Sequence, residues 1–284
     1  MDLRPSSRHR GGPAPVRTGT VLSADGERIS VAFDAPAATA YPSLVFVVSH
    51  GFTGSWRRPD NRRIALSLTE FGGVVSYDSR GHGSSSGVTT LGDAEVLDLD
   101  AAIGWARWLG ADDVVTVGFS MGGSIVLRQA ALVGRRDLEA PQAVVSVSAA
   151  GFWFYQGTPP MRLLHQAVGT RSGRGVLRWA FHTRVTDREW EQPYPLSPSE
   201  SAELVPPVPL LVVHGDQDSY FPVEHANSIV TSAAAGAERR GVPDRTVGWI
   251  VPGFGHAESA ASSDVVARIG AWATDAVRIG SELS

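Results

Sequence analysis

Residues 116–124 read TVGFSMGGS and set Ser120 between Gly118 and Gly122, directly after a run of apolar, β-branched residues. A serine hydroxyl held at such a turn can attack a carbonyl carbon if a base lies beside it. The pattern G-x-S-x-G alone is weak in a chain with 31 glycines, and it occurs a second time, at Gly83-Ser84-Ser85-Ser86-Gly87. Context separates the two. Around Ser120 a strand-like run ends and a helical pattern opens, the strand–turn–helix setting of a nucleophile elbow. So tight a turn demands small neighbours, which Gly118, Gly122 and Gly123 supply. The second match follows YDSRGHG with no strand running directly into it, and is expected to be a glycine–serine loop.

A serine needs a base, and the base needs an orienting carboxylate. In a sheet entered through such an elbow, both are expected later in the chain, in the order Ser, Asp/Glu, His. LLVVHGDQDSYFP supplies Asp216 and Asp218 just past one strand-like run, and WIVPGFGHAE supplies His256 just past the next. No spacing of His, Asp and Glu matches a metal site, so neither metal nor cofactor is expected.

Composition removes several alternatives. The net charge of −4 argues against nucleic acid as main partner, and no apolar run is long enough to cross a membrane. The absence of cysteine excludes disulfides, thiolate metal sites and cysteine nucleophiles. Lysine is also absent, all 25 basic residues being arginine, which removes Schiff-base, P-loop and Ser–Lys chemistry. The first 17 residues are basic and rich in Pro, Gly and Ser without an apolar stretch. They predict a disordered leader, not a secretory signal, and hence a cytoplasmic protein.

From residue 18 onward, short β-rich runs alternate with helical patterns. TGTVLS (18–23) and RISVAF (28–33) predict a hairpin around ADGE. Further strands are expected at 43–50, 72–78, 113–119, 143–149, 208–215 and 245–253, with helices at 61–71, 93–110, 121–133, 223–238 and 257–279. In the helix at 93–110, Val96, Leu97, Leu99, Ile103 and Trp108 are expected to share a buried face, with Asp93 as cap. The alternation predicts an α/β fold with a doubly wound, mostly parallel sheet. About sixty residues separate the strands at 143–149 and 208–215, so 150–205 is expected to form a small helical lid inserted late in the sheet. The core is then 18–149 together with 206–284. Arginines 162, 171, 174, 178, 184 and 188 in the insertion are expected to lie on a solvated face.

Four stretches in this order, SHGFTGS, YDSRGHGSSSG, GFSMGGS and HGDQDSYFP with GFGHAE, resemble the α/β-hydrolase superfamily over nearly all of 18–279. The nearest likeness is to its esterase, monoacylglycerol-lipase-like and serine-aminopeptidase-like members. The resemblance implies a triad of Ser120, Asp218 and His256, with Asp216 holding the loop together. It implies an oxyanion hole from the backbone N–H groups of Phe52 and Met121. His50 would then belong to the oxyanion loop, and His82 and His214 would stabilise turns, while His165, His182 and His225 have no assigned role.

The expected activity is hydrolysis of a small-molecule ester through an acyl-enzyme on Ser120. A thioesterase or acyltransferase, or a non-catalytic ligand-binding protein of the same fold, would use the same residues. Phe52 and the aromatic run Phe152, Trp153, Phe154 and Tyr155 are expected to line the substrate pocket, suiting an apolar or aryl acyl group. The same run could instead bind the insertion to the core. Oligomeric state leaves no mark in the sequence.

Overall fold

The computed structural model describes residues 16–282 of the 284. β1 (Arg17–Leu22) and β2 (Arg28–Asp34) form the expected antiparallel hairpin, followed by β3 (Leu44–Ser49), α1 (Pro59–Leu68), β4 (Gly73–Tyr77) and α2 (Glu95–Trp108). β5 (Asp113–Phe119) leads into α3 (Met121–Leu132), and β6 (Ala143–Val147) leads into the insertion, which carries α4 (Pro159–Gly169) and α5 (Arg171–Phe181). The chain returns through α6 (Pro198–Ala202), β7 (Leu210–Gly215), α7 (Glu224–Arg240), β8 (Thr246–Val251), α8 (Ala257–Ala260) and α9 (Ser263–Glu282).

The strands make one eight-stranded sheet in the order β1-β2-β4-β3-β5-β6-β7-β8. β2 pairs antiparallel with β4, and every pair from β4 to β8 is parallel. Alternation along the central strands feeds two separate cores. Val45 and Val47 face Leu99, Ile103 and Ile125, whereas Phe46 and Val48 face Ile64, Val266 and Ile269. α2, α3 and α7 therefore cover one face, and α1 and α9 the other. Strands buried on both sides need continuous apolar runs, as LVFVVS in β3 shows.

Several expectations change. Most of the expected leader lies outside the described residues, and its last residue, Arg17, already pairs with Phe33 in β1. Trp108 does not share the buried face of α2: it is 78% exposed, while Leu99 and Ile103 are fully buried. Five residues at 100° each carry Trp108 about 140° around the helix from Ile103, beyond the width of one face. Asp93 does not cap α2 either; its Oδ1 accepts from Arg128 Nη2 at 3.0 Å, and the Ala94 N–H instead reaches Thr90 Oγ1 at 2.8 Å. The final helix is split, because Ala261 turns extended between α8 and α9. Within 150–205, α6 packs on α3 and α7 and puts Ala202 and Val205 into the core. The part standing apart from the sheet is thus shorter than expected and ends before α6.

Truncation of Leu99 to alanine is expected to lower stability by about 2–5 kcal/mol, as for a fully buried leucine. Trp108→Ala is expected to change it by less than about 0.5 kcal/mol. Chemical denaturation of the two variants checks the placement of both faces.

Candidate active site

β5 delivers Ser120 to the carboxyl edge of the sheet, where α3 begins at Met121. Ser120 adopts φ 51 and ψ −113, a positive-φ conformation that costs a non-glycine residue about 1–3 kcal/mol. Its own N–H compensates by donating to Val147 O at 2.8 Å. The flanking glycines have no room for a side chain: a Cβ on Gly118 would lie 2.1 Å from Gly122 O, and one on Gly122 would lie 2.1 Å from Ser49 O. Tight backbone contact on both sides forces the serine hydroxyl outward.

His256 and Asp218 meet it there. His256 follows β8, and its Nε2 is 2.9 Å from Ser120 Oγ. On the other side of the ring, Nδ1 is 2.7 Å from Asp218 Oδ2. A carboxylate accepts only, so Nδ1 carries the proton and Nε2 is left to accept from the serine hydroxyl. The Asp218 carboxylate is fully buried and also accepts from the N–H groups of Tyr220 (2.8 Å) and Phe221 (3.0 Å) through Oδ1. Burial by itself raises its pKa, but the hydrogen bond and charge of His256 and the two backbone donors outweigh that and hold the group below the usual carboxylate range. Tyr220 stacks on the imidazole with ring centroids 4.3 Å apart, and Phe221 meets it edge-on.

Phe52 and Met121 flank the serine. Among the described residues neither backbone N–H has a hydrogen-bond partner, Met121 because it opens α3. The loop carrying Phe52 is fixed from below. Ser79 N–H donates to His50 Nε2 at 3.1 Å, so His50 Nδ1 donates to Gly51 O at 2.7 Å. Gly54 N–H donates to the same oxygen at 3.0 Å. His82 accepts from Thr53 N–H, and burial pushes its pKa down to about 3, so it stays a neutral acceptor.

Beside the serine lies a cavity of about 590 Å³ between the strand ends and the insertion. Phe52, Phe152, Trp153, Phe154 and Tyr155 all border it, along with Met161 from α4. Residues 152–155 are not an extended run. Phe154 turns to φ 60, which explains how consecutive side chains reach one cavity. They also tie the insertion down, since Trp153 donates through Nε1 to Pro195 O and packs edge-on against Trp190, whose Nε1 donates to Thr90 O. The arginines are not all on a solvated face. Arg174 is half-buried at the cavity, whereas Arg188 is exposed at the cavity rim. Arg184 turns to the core, donating through Nε to Gly87 O at 2.9 Å and through Nη2 to Ser85 O.

Three supporting residues escaped the sequence reading. Glu95 is fully buried and receives Thr89 Oγ1, Thr90 N, Thr90 Oγ1 and Gly92 N, shaping the loop that brings Thr90 and Leu91 to the cavity. Its place inside a helical pattern hid it. His225 accepts from Gly151 N–H at 2.8 Å and packs edge-on to Tyr155, anchoring the start of the aromatic run. Arg63 reaches backbone carbonyls of Glu258 and Ala261, across 195 and 198 residues of sequence. Such pairings leave no trace in spacing.

The rival motif is elsewhere. Ser85 is buried, donates to Asp78 O at 2.5 Å and accepts from Ser30 N–H at 2.9 Å. Asp216 receives Gly253 N–H at 2.7 Å and joins the loops after β7 and β8. His214 donates through Nε2 to Phe221 O at 2.8 Å. No group of three or more His, Cys, Asp or Glu that could hold a metal occurs among the described residues. No described helix is long and apolar enough to cross a membrane.

A sequence model of the Alpha/beta hydrolase family matches residues 44–269. An esterase of Pyrococcus furiosus superposes with a TM-score of 0.67 at 18% identity, covering 91% of each chain. Est1E from Butyrivibrio proteoclasticus, solved with ferulic acid bound, gives 0.58 at 19% identity, covering 89% of this chain and 96% of that one. A serine hydrolase of Xanthomonas campestris described as having no lid gives 0.56 at 19% identity, with 94% and 95% coverage. At these identities the likeness is one of fold.

His225 gives this site a pH dependence. Burial, then the neighbouring His214, lowers its pKa in the folded chain, whereas an unfolded histidine titrates near 6.5. Below that pH the unfolded state binds the extra proton, so the contribution is complete above about pH 6.5 and is lost as pH falls. His225→Asn keeps an acceptor but does not titrate. Thermal unfolding of both proteins between pH 8 and pH 5 is expected to show the advantage of wild type over the variant shrinking towards acid.

Proposed function

The chain belongs to the Alpha/beta hydrolase family, and on that premise we propose that it hydrolyses carboxylic esters of small molecules through an acyl-enzyme on Ser120. One observation carries the reading. A serine hydroxyl, an imidazole and a buried carboxylate stand in hydrogen-bonded series at 2.9 and 2.7 Å, beside two backbone N–H groups with no partner among the described residues.

His256 Nε2 takes the hydroxyl proton as Ser120 Oγ attacks the ester carbonyl, and Asp218 stabilises the imidazolium that forms. The Phe52 and Met121 N–H groups receive the developing oxyanion, an interaction worth about 3–4 kcal/mol per donor where such donors have been removed. The imidazolium then protonates the leaving alkoxide. Water, activated by the same ring, attacks the acyl-enzyme and releases the acid. Every proton is carried by a group already in the site.

The substrate reading rests on the cavity. Its aromatic wall favours an apolar or aryl acyl group. α4 and the segment 150–155 border the cavity beside the serine and act as a lid that shapes the acyl pocket. The ferulic acid in the Butyrivibrio structure is a ligand of that protein, and it agrees with trying aryl esters first.

Fluorophosphonate labelling with peptide mapping tests the nucleophile without knowledge of the substrate. One adduct on Ser120 is expected, absent in Ser120→Ala and lost in His256→Ala. Asp218→Asn is expected to slow acylation by about 10⁴, because the ring is then held in the wrong tautomer. Asp216→Asn is expected to keep the labelling rate and lower the thermal midpoint. A panel pairing each aryl or alkyl ester with its thioester should show the ester turned over faster. Faster thioesters would reassign the activity, and no adduct on well-folded wild type would make this a ligand-binding protein.

A further inference from the structure

Glu258 has no part in the serine–histidine–aspartate series, yet its carboxylate holds the glycine beside the same serine. Its Oε1 accepts from Gly51 N–H at 2.6 Å. A Cβ placed on Gly51 would sit 3.2 Å from Glu258 Oε2 and equally 3.2 Å from Ser120 Cβ. The carboxylate and the elbow therefore both close on Gly51 of the oxyanion loop. We infer that Glu258 is a positioning residue, which holds the Gly51 backbone so that the Phe52 N–H points at the developing oxyanion.

The geometry of the loop shows how this works. In the trans peptide joining Gly51 to Phe52, the carbonyl and the N–H point in opposite directions. The carbonyl is held by His50 Nδ1 and Gly54 N–H, which directs the Phe52 N–H the other way. Those two bonds fix one end of Gly51. Glu258 fixes the other by accepting from the Gly51 N–H, which lies in the preceding peptide plane. The planes on both sides of the Gly51 Cα are thus held, and losing that bond leaves one of them free to shift. Thr53, next in the turn, sits at φ 62 and so holds the loop away from its relaxed form. A strained turn persists only where its surroundings over-determine it.

The backbone around Glu258 is built for this reach. Ala257, between His256 and Glu258, has φ 53, and its N–H donates to Ser148 Oγ at 3.1 Å. This reversal lets His256 turn to the serine while Glu258, two residues on, turns to the oxyanion loop. Arg63 of α1 then pins the segment by donating to Glu258 O at 2.9 Å and to Ala261 O. One short stretch of chain thus sets both the base and the oxyanion donor. In the sequence Glu258 is only the last residue of GFGHAE.

The inference rests on the esterase reading, and its test separates the two. Glu258→Met keeps the side-chain length without an acceptor, and Glu258→Gln restores an acceptor without the charge. On an ester that wild type hydrolyses, Glu258→Met is expected to lose about 10–100-fold in kcat with KM little changed, as when a donor is misplaced by about 1 Å. A boronic acid that occupies the oxyanion hole should weaken in parallel. Glu258→Gln should recover most of the loss, with Ser120 labelling following the same order. Wild-type kcat in Glu258→Met, or equal losses in both variants, overturns the role. If Glu258→Met does not fold, Glu258→Asp withdraws the oxygen by one methylene and must lose kcat; wild-type kcat there overturns it. Should wild type hydrolyse no ester but still label, the esterase reading fails and the labelling rates alone decide on Glu258. Wild type that neither hydrolyses nor labels overturns both.

Discussion

The site depends on how closely the backbone at the start of α3 approaches the end of β3. Gly122 lies under Ser49 O with no space for a methyl group, and Gly118 closes against Gly122 in the same way. That contact pushes Ser120 into a positive-φ turn and out of the sheet. The parallel register pairs Ser49 with Gly118, so the residues after each strand emerge together. His50, Gly51 and Phe52 therefore emerge beside Ser120 and Met121. A side chain at either glycine would separate Ser120 and Met121 from the loop at 50–52, because both are spaced by the same backbone contact.

Beneath this edge the polar groups are buried and almost all partnered. Asp78 receives Ser55 Oγ, Trp56 N–H and Ser84 N–H, joining the turn after β4 to the loop after β3. His50 and His82 are placed where each must act as a neutral imidazole with one donor and one acceptor nitrogen. Arg80 is enclosed by Asp98 and Asp25 in a bidentate network. Buried polar groups satisfied in this way specify one arrangement, since any shift leaves a donor or acceptor unpaired at a cost of about 1–3 kcal/mol. The scaffold under the serine is therefore stiff, which suits a site whose donors must be aimed before the substrate arrives.

The insertion is held differently. It touches the core through a few directed contacts, at Gly151 with His225, at Trp190 with Thr90, and at Val185 with Thr89. Large apolar side chains on it stay exposed, among them Leu163 and Trp179. Its aromatic residues both line the cavity and attach the segment, so cavity shape and attachment are coupled: Trp153 borders the cavity and packs edge-on against Trp190, whose Nε1 donates to Thr90 O.

Much of this was legible in the sequence because it follows from local rules. The strand–turn–helix around Ser120 needs small residues at fixed offsets, and the two-sided burial of central strands needs continuous apolar runs; both are one-dimensional signals. Ser120 and His256 were picked out for the same reason, each standing just after a strand, whereas that position left Asp216 and Asp218 both open and only the resemblance chose Asp218. Reading failed where angle or distance along the chain decides. Trp108 lay on the wrong side of a helix, and Asp93 found a partner on α3 instead of capping its own helix. His225, Arg63 and Glu258 act on residues that only the packed sheet brings near, whereas Glu95 folds a neighbouring loop onto itself from inside a helical pattern. From residue types and spacing the sequence determined which groups are available for chemistry and where each leaves its strand. The tertiary structure decided which of them touch, because contacts between residues 74 and 207 positions apart depend on how the strands order and pair, and spacing does not encode that.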